Sequence, residues 1–350
     1  MKSHPNVGAA AHVNALDGLR GFAVLVVLLM HTLGIPRGGE LGVDIFFALS
    51  GYLISSQLLS EINRSGNIGL VRFYWKRCIR LIPAFLAVCV LYSAMRFCFP
   101  TNTPHIDLLT MLSLPWVANI SWATGAQPAP FLQHTWSLAV EWQFYLVWPL
   151  ALIGLSKLNI RRDGLLVILV LSVLAVWVAR WRGDQLMRFE GILIGSMIPL
   201  IKDRDIVRRV ICAKHSAWLI FLPAMAMVAW LISQPVQAFQ SPAKPFTSLL
   251  SSVIILYLTV NSAVLPRLLL GNGLLRHFGT ISYGLYLFHF PIAALMYVNG
   301  FSPWQMLVVA VFVAVPLAEV SWWYLELPIL QAWSNRSAVA TVPAPLAERA

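Results

Sequence analysis

Apolar segments of roughly membrane-spanning length recur along the whole chain. A transmembrane helix needs roughly 20 mostly apolar residues, and ten segments fit this template. They lie at residues 16–33, 42–60, 81–99, 136–155, 164–181, 185–201, 217–233, 245–265, 278–298 and 304–327. The 350 residues are 59% hydrophobic and only 11% charged, which excludes an ordinary soluble domain. The sequence therefore predicts an all-α polytopic membrane protein with about ten transmembrane helices.

The basic residues are distributed unevenly between these segments. If the N-terminus is cytoplasmic, most of the 25 lysines and arginines fall in cytoplasmic loops and tails, including the loop from Glu61 to Arg80. The opposite loop from Pro100 to His134 contains no lysine or arginine. This asymmetry follows the positive-inside rule and predicts that both termini are cytoplasmic. It also accounts for the net charge of +11 without a nucleic-acid partner.

The segment pattern predicts a single membrane domain with short flanks. We expect a cytoplasmic N-terminal segment at 1–15, a transmembrane domain at 16–328 and a cytoplasmic, disordered tail at 329–350. No cleavable signal peptide is expected. The four cysteines form no CxxC pair and no cluster with histidine, so no metal site is expected.

The first segment, LDGLRGFAVLVVLLMHTL, carries Arg20 and His31. Eleven helical steps return to within about 20° of the same face and span about 16 Å. Titratable groups are costly in lipid and are functional candidates by default, and histidine can accept a hydroxyl proton at neutral pH. In the alternative interpretation, Arg20 reaches the interface with its long side chain and His31 caps the helix.

Asp44, in the second segment GVDIFFALSGYLIS, should lie at the same membrane level as His31. Its carboxylate could hold the imidazole in one tautomer. Alternatively, the carboxylate of Asp44 accepts hydrogen bonds from the free N–H groups at the start of a helix. The two interpretations are compatible.

Charged residues in later segments suggest further functional groups. Arg77 and Arg80 are i, i+3 neighbours that could hold one phosphate together, or could simply anchor the helix at the interface. Glu141 is the lone acid of an apolar aromatic segment, so it should be either functional or part of a structural salt bridge. His289 precedes Pro291 by two residues and is interpreted as a satisfied interior group.

Seven sequence blocks, in this order, resemble the membrane-bound acyltransferase-3 family. They are LDGLRG with Arg20-x10-His31, GVDIFFALSGYLIS, the Arg77-x-x-Arg80 pair with Pro83, TWSLAVEWQFYLVWP, RFEGILIG, ISYGLYLFHFP and WYLELP. The resemblance implies a multi-pass O-acyltransferase of the bacterial inner membrane. Such an enzyme moves an acyl group, usually acetyl, from a cytoplasmic acyl-CoA such as acetyl-CoA or succinyl-CoA. The acceptor is a hydroxyl of an extracytoplasmic glycan, such as O-antigen, exopolysaccharide or a lipid-linked sugar.

The resemblance also implies roles for individual residues. His31 would be the catalytic histidine, with Asp44 orienting its ring and Glu141 as a functional acid. The donor would be bound or oriented by Arg20, Arg77 and Arg80. Acyl-CoA would be a substrate, with no cofactor bound. The chain is expected to resemble the stand-alone members, which lack the fused extracytoplasmic hydrolase-like domain of many relatives.

Two further expectations concern the outer loop and the alternative function. Trp116 and Trp122, in the loop from Pro100 to His134, could cover the apolar face of a sugar. The alternative to an enzyme is a transporter or a non-catalytic partner in glycan assembly. The sequence disfavours a transporter, because it shows no paired halves and because its titratable groups gather in the first four segments.

Overall fold

The part of the chain that the structure describes folds into a bundle of helices. The computed structural model describes residues 14–98, 108–125, 130–182, 188–235, 242–261 and 264–339, and these residues form no β-strand. The first eight helices are α1 (Asn14–Leu33), α2 (Gly42–Ser65), α3 (Leu70–Cys98), α4 (Leu108–Ala123), α5 (Trp136–Lys157), α6 (Arg162–Trp181), α7 (Glu190–Ile201) and α8 (Asp205–Ile211). The others are α9 (Leu222–Ser233), α10 (Ala243–Val260), α11 (Val264–Leu270), α12 (Gly273–Thr280), α13 (Ser282–Val298), α14 (Pro303–Val309), α15 (Val315–Val320) and α16 (Leu327–Val339).

Several of these helices can cross a membrane. Within the described ranges, seven helical runs are long and apolar enough, and α12 with α13, bent by 73°, would make an eighth if they form one span. The predicted all-α polytopic membrane fold is therefore confirmed. Each predicted segment contains helix, but α7 has only 12 residues and reaches about 18 Å, short of the ~30 Å hydrocarbon core. The count of ten spans and the side on which the termini lie remain predictions.

The predicted loop from Pro100 to His134 contains helix α4 at Leu108–Ala123, which the sequence did not predict. Helix α4 is apolar but contains Pro115 and has only 16 residues, which is why it falls below the length of a membrane span. It packs along α5, where the ring centroids of Trp116 and Trp142 lie 4.6 Å apart. Residues 99–107 and 126–129 and the side chain of Trp122 lie outside the described part of the chain.

The predicted basic loop from Glu61 to Arg80 is also mostly helical. Helix α2 ends at Ser65, and Gly66 turns the chain with a φ of 71°. Helix α3 begins at Leu70, eleven residues before the predicted start. Basic residues at helical spacing share one face, so they do not interrupt the helix. The basic cluster therefore lies on the first turns of α3.

Glycines bring α2 and α7 into backbone contact. A Cβ atom added at Gly51 would lie 2.0 Å from the carbonyl oxygen of Ile192, and one added at Gly195 would lie 2.1 Å from that of Ala48. Only glycine fits at this separation, as is common where membrane helices pack closely. This contact fixes the position of α2, which carries Asp44, against the start of α7.

The outer surface of the bundle is apolar. One face of α6 exposes apolar side chains at helical spacing, while its opposite face is buried. Such a surface suits lipid rather than water. At the end of the chain, α16 continues to Val339, beyond the predicted domain boundary at residue 328. Residues 1–13 and 340–350, which include most of the predicted N-terminal segment and half of the predicted tail, lie outside the described ranges.

Candidate active site

Three histidines from separate parts of the chain meet near the end of α1. His31 is on the last turn of α1, His289 is in the middle of α13, and His134 lies in the 3₁₀ turn Pro130–Thr135 before α5. Nδ1 of His31 lies 3.0 Å from Nε2 of His289, and the His134 and His289 ring centroids are 6.1 Å apart. We call this group the histidine cluster.

The hydrogen bonds of the pair assign a tautomer to each ring. Nδ1 of His289 lies 2.9 Å from the carbonyl oxygen of Leu285. A carbonyl only accepts, so this Nδ1 carries a proton, and Nε2 of the neutral ring is then an acceptor. Nδ1 of His31 must therefore donate to it. The Nε2 atom of His31 is left with its lone pair, so it can accept a proton.

The surroundings leave His31 accessible and bury its partners. His289 is 0% exposed and His134 is 3% exposed, whereas His31 is only partly buried. The His134 ring stacks on Phe290 with centroids 4.7 Å apart, and among the described residues neither of its ring nitrogens has a hydrogen-bond partner. The hydroxyl of Tyr286 donates to the carbonyl oxygen of His134 at 2.9 Å. Of the three histidines, His31 is therefore the most exposed.

A second polar group surrounds Glu141 on α5. Ser50 on α2 donates to its Oε1 at 2.6 Å, and Tyr145, one turn along α5, donates to its Oε2 at 3.1 Å. Glu141 also interacts electrostatically with Arg20 and Arg77. Its carboxylate is therefore held by hydroxyl groups, and Arg20 also pairs with Asp17 at 3.7 Å.

The three predicted donor-binding arginines lie together beside Glu141. Arg77 donates to Oε1 of Gln57 at 2.8 Å, and its guanidinium group lies 5.8 Å from the centroid of the Tyr145 ring. Arg20 and Arg80 interact electrostatically with each other and with the guanidinium group of Arg77. Two helices, α1 and α3, thus bring three positive charges to one place. We call Arg20, Arg77, Arg80 and Glu141 the arginine cluster.

The two clusters are neighbours along α5. Ser137 is one turn before Glu141 on the same face of the helix, and its hydroxyl lies 2.7 Å from that of Tyr286, whose ring lies beside the histidine cluster. Along α1, Arg20 and His31 are about 16 Å apart. Apart from Asp44, the predicted site residues thus lie in two groups that α1 and α5 link. We refer to the two ends of the bundle as the Arg20 end and the His31 end.

Asp44 does not contact His31, so the predicted orienting contact is wrong. Both of its carboxylate oxygens accept from Arg188, at 3.0 and 3.1 Å. Asp44 is 1% exposed, and a carboxylate this deeply buried needs a countercharge that a neutral imidazole cannot supply. His289 takes the place predicted for Asp44 beside His31. Asp44 lies in the first turn of α2 but makes no side-chain cap.

The neighbours of Asp44 form a third polar group. Arg188 lies over the Trp136 ring, 4.3 Å from its centroid. Glu190 pairs with Arg180, and Lys244 contacts Glu40 at 3.0 Å. These pairs join the starts of α2, α7 and α10 and the end of α6, so Arg188 and Glu190 both take part in salt bridges.

Sequence reasoning missed His289 and His134 as members of the site. The segment around His289 is rich in aromatic and small residues, which favours a satisfied interior group. The available signal was its place in the middle of an apolar segment, where a titratable side chain is costly. Only the fold shows that α13 crosses α1 at His31.

Comparison with known proteins identifies the family. The model of the acyltransferase domain family Acyl_transf_3 matches residues 13–325. O-acetyltransferase OatA of Staphylococcus aureus (strain NCTC 8325) is 28% identical to this chain, over 91% of this chain and 57% of its own length. Peptidoglycan O-acetyltransferase OatA of Listeria monocytogenes is 29% identical, over 91% of this chain and 56% of its own length. The putative peptidoglycan O-acetyltransferase YrhL of Bacillus subtilis is 32% identical over 91% of this chain and 55% of its own length.

The chain thus spans a little over half the length of these curated relatives. No solved structure matches it. The family match covers both the arginine cluster and the histidine cluster. The chain therefore belongs to the membrane-bound acyltransferase-3 family, as an integral membrane acyltransferase domain.

Proposed function

We propose that the protein is an O-acetyltransferase of the bacterial inner membrane. It moves an acetyl group from acetyl-CoA on the cytoplasmic side to a hydroxyl of an extracytoplasmic glycan. The observation that carries the proposal is the pairing of His31 with His289, which leaves Nε2 of His31 to accept a proton. The arginine cluster at the other end of the same helix supplies the charge that a phosphate-bearing donor requires.

The donor binds with its phosphates at the Arg20 end. Guanidinium groups form charge-assisted hydrogen bonds to phosphate oxygens, often two at a time. Arg20, Arg77 and Arg80 come from two helices and meet beside Glu141, so a diphosphate can replace their mutual repulsion with attraction. Coenzyme A ends in a long pantetheine arm, which can extend from this cluster toward the histidines.

At the His31 end, the acceptor hydroxyl attacks the thioester. Its oxygen bonds to the carbonyl carbon while Nε2 of His31 takes its proton. The carbon–sulfur bond then breaks, the acyl group stays on the acceptor oxygen, and the coenzyme A thiolate leaves with the proton from His31. His289 keeps His31 in the required tautomer and accepts from Nδ1 throughout. We propose that transfer takes place in one direct step, without a covalent intermediate.

The acceptor is a glycan hydroxyl reached from the His31 end. The similarity to proteins named peptidoglycan O-acetyltransferases supports a glycan and makes peptidoglycan the first acceptor to test. Lipid-linked O-antigen and exopolysaccharide are the next. The aromatic rings around His31, such as Phe290 with its centroid 4.8 Å away, suit the apolar face of a sugar.

The proposal is tested with purified protein in proteoliposomes. Radiolabelled acetyl-CoA is supplied on one side, and peptidoglycan fragments, lipid-linked O-antigen or exopolysaccharide on the other. We expect label in alkali-labile esters on one of these glycans. Movement of label or glycan across the membrane without ester formation would instead identify a transporter.

A further inference from the structure

A large cleft opens at the Arg20 end of the bundle and is not part of either cluster. Its volume is about 920 Å³. It lies between the end of α2, the start of α3, the end of α5 and α16, and the turn Gly66–Gly69 forms one edge. Four separate elements thus enclose one space next to the proposed donor site.

The interior of the cleft is apolar and partly aromatic. Ile62, Ile68 and Ile153 contribute aliphatic surface, and Trp333 contributes an indole ring. This ring packs against Trp75, with centroids 6.4 Å apart, so its position is held by a neighbour. A flat aromatic ligand can stack against such a surface, as nucleic-acid bases do on aromatic side chains.

Two cations from different helices stand at the cleft. Arg72 is on the first turn of α3 and Lys157 on the last turn of α5, and both are exposed. The N–H of Gly69, just before α3, already donates to Oε1 of Glu61 at 3.0 Å, so Arg72 and Lys157 supply the charge for an anion. The cleft therefore combines a surface for a ring with charge for a phosphate.

A line of positive charge connects the cleft to the arginine cluster. Arg72, Lys76 and Arg80 follow one another at four-residue spacing on α3, and Lys76 interacts electrostatically with both arginines. Arg72 and Arg80 are about 12 Å apart along the helix. A ligand with one phosphate in the cleft and others at the cluster would follow this line.

We propose that the cleft binds the 3′-phosphorylated adenosine of the acyl-CoA donor. The adenine stacks beside Trp333, the 3′-phosphate contacts Arg72 and Lys157, and the diphosphate reaches Arg77 and Arg80. This inference rests on the proposed function and specifies where its donor is held.

The test compares the binding of coenzyme A with that of dephospho-coenzyme A, which lacks only the 3′-phosphate. The full chain is placed in nanodiscs of zwitterionic lipid, so that anionic headgroups do not compete, and binding is followed by calorimetry. We expect the double variant Arg72→Ala, Lys157→Ala to lose about tenfold in affinity for coenzyme A and little for dephospho-coenzyme A. The double variant Arg208→Ala, Arg209→Ala removes the same charge from the exposed face of α8 and should bind as wild type does.

The aromatic contact is tested separately. Trp333→Ala should lower the affinity for both ligands by about tenfold. Trp333→Phe should keep most of the wild-type affinity, because an aromatic ring is retained. Equal affinities of wild type and of Arg72→Ala, Lys157→Ala for coenzyme A, or equal losses for both ligands, would overturn the assignment of the 3′-phosphate. Unchanged binding by Trp333→Ala would overturn that of the adenine. If wild type itself neither binds coenzyme A nor uses acetyl-CoA, the proposed function fails together with this inference.

Discussion

His31 and His289 form a pair in which each hydrogen bond determines the next. The carbonyl oxygen of Leu285 fixes the tautomer of His289, and His289 then fixes that of His31. A carboxylate partner, as predicted at Asp44, would have given the same orientation with a negative charge. The neutral partner instead lets the pair lie in an apolar interior without a buried countercharge.

His289 is a positioning residue, and its replacement should affect turnover rather than donor binding. We expect His289→Ala to lower kcat by about tenfold to a hundredfold, a part of what a positioned base contributes, with the KM for acetyl-CoA little changed. His289→Gln should recover part of the loss, because its amide oxygen can accept from Nδ1 of His31. Steady-state kinetics of the three proteins provide the check. Equal losses in both variants, or a rise in KM alone, would contradict the role.

Asp44 should matter for stability through Arg188. Asp44→Ala leaves a buried guanidinium group without its carboxylate, which typically costs about 3–5 kcal/mol. The double variant Asp44→Leu, Arg188→Met removes both charges and should regain much of that loss. Thermal unfolding of the purified variants measures both effects. A double variant no more stable than Asp44→Ala would show that the pair is not the cause.

At the scale of elements, α3 carries on its first turns the positive charges that we propose bind the donor. Arg77→Ala with Arg80→Ala should raise the KM for acetyl-CoA by about tenfold or more while the protein still inserts. Gln57→Ala is the matched control, because it removes the hydrogen-bond partner of Arg77 but keeps the positive charges. Titration of these variants with acetyl-CoA shows whether donor affinity depends on the arginine charges or on the hydrogen bond between Arg77 and Gln57. Unchanged affinity for acetyl-CoA in the double variant would remove these arginines from the donor site.

The contact between α2 and α7 depends on glycine at the crossing point. Gly195→Ala places a Cβ atom against the backbone of Ala48 and should destabilise the fold by about 1–3 kcal/mol. Gly154→Ala, on α5, meets no atom within 4 Å and should be neutral or slightly stabilising. Thermal unfolding in the same detergent compares the two. Equal unfolding temperatures of the two variants would mean that the helices accommodate a Cβ atom at residue 195 with little loss of folding free energy.

At the scale of the whole molecule, the length of the apolar segments predicted the all-α membrane fold. Each of the ten predicted segments contains helix in the structure. Segment length did not predict α4, because a 16-residue helix containing Pro115 falls below the length of a span, nor the early start of α3, because basic side chains on one face are compatible with helix. Spacing on α1 alone suggested that Arg20 and His31 act together. The partner of His31 could not be predicted, since His289 is 258 residues away in sequence.

The central claim is that one path leads from a donor at the arginine cluster to a proton acceptor at His31. The most direct measurement is transfer of label from acetyl-CoA to a glycan hydroxyl by purified wild type and His31→Ala in parallel, with coenzyme A affinity measured on the same preparations. We predict ester formation by wild type, none above background by His31→Ala, and equal coenzyme A affinity for both. Ester formation by His31→Ala at the wild-type rate would contradict the account.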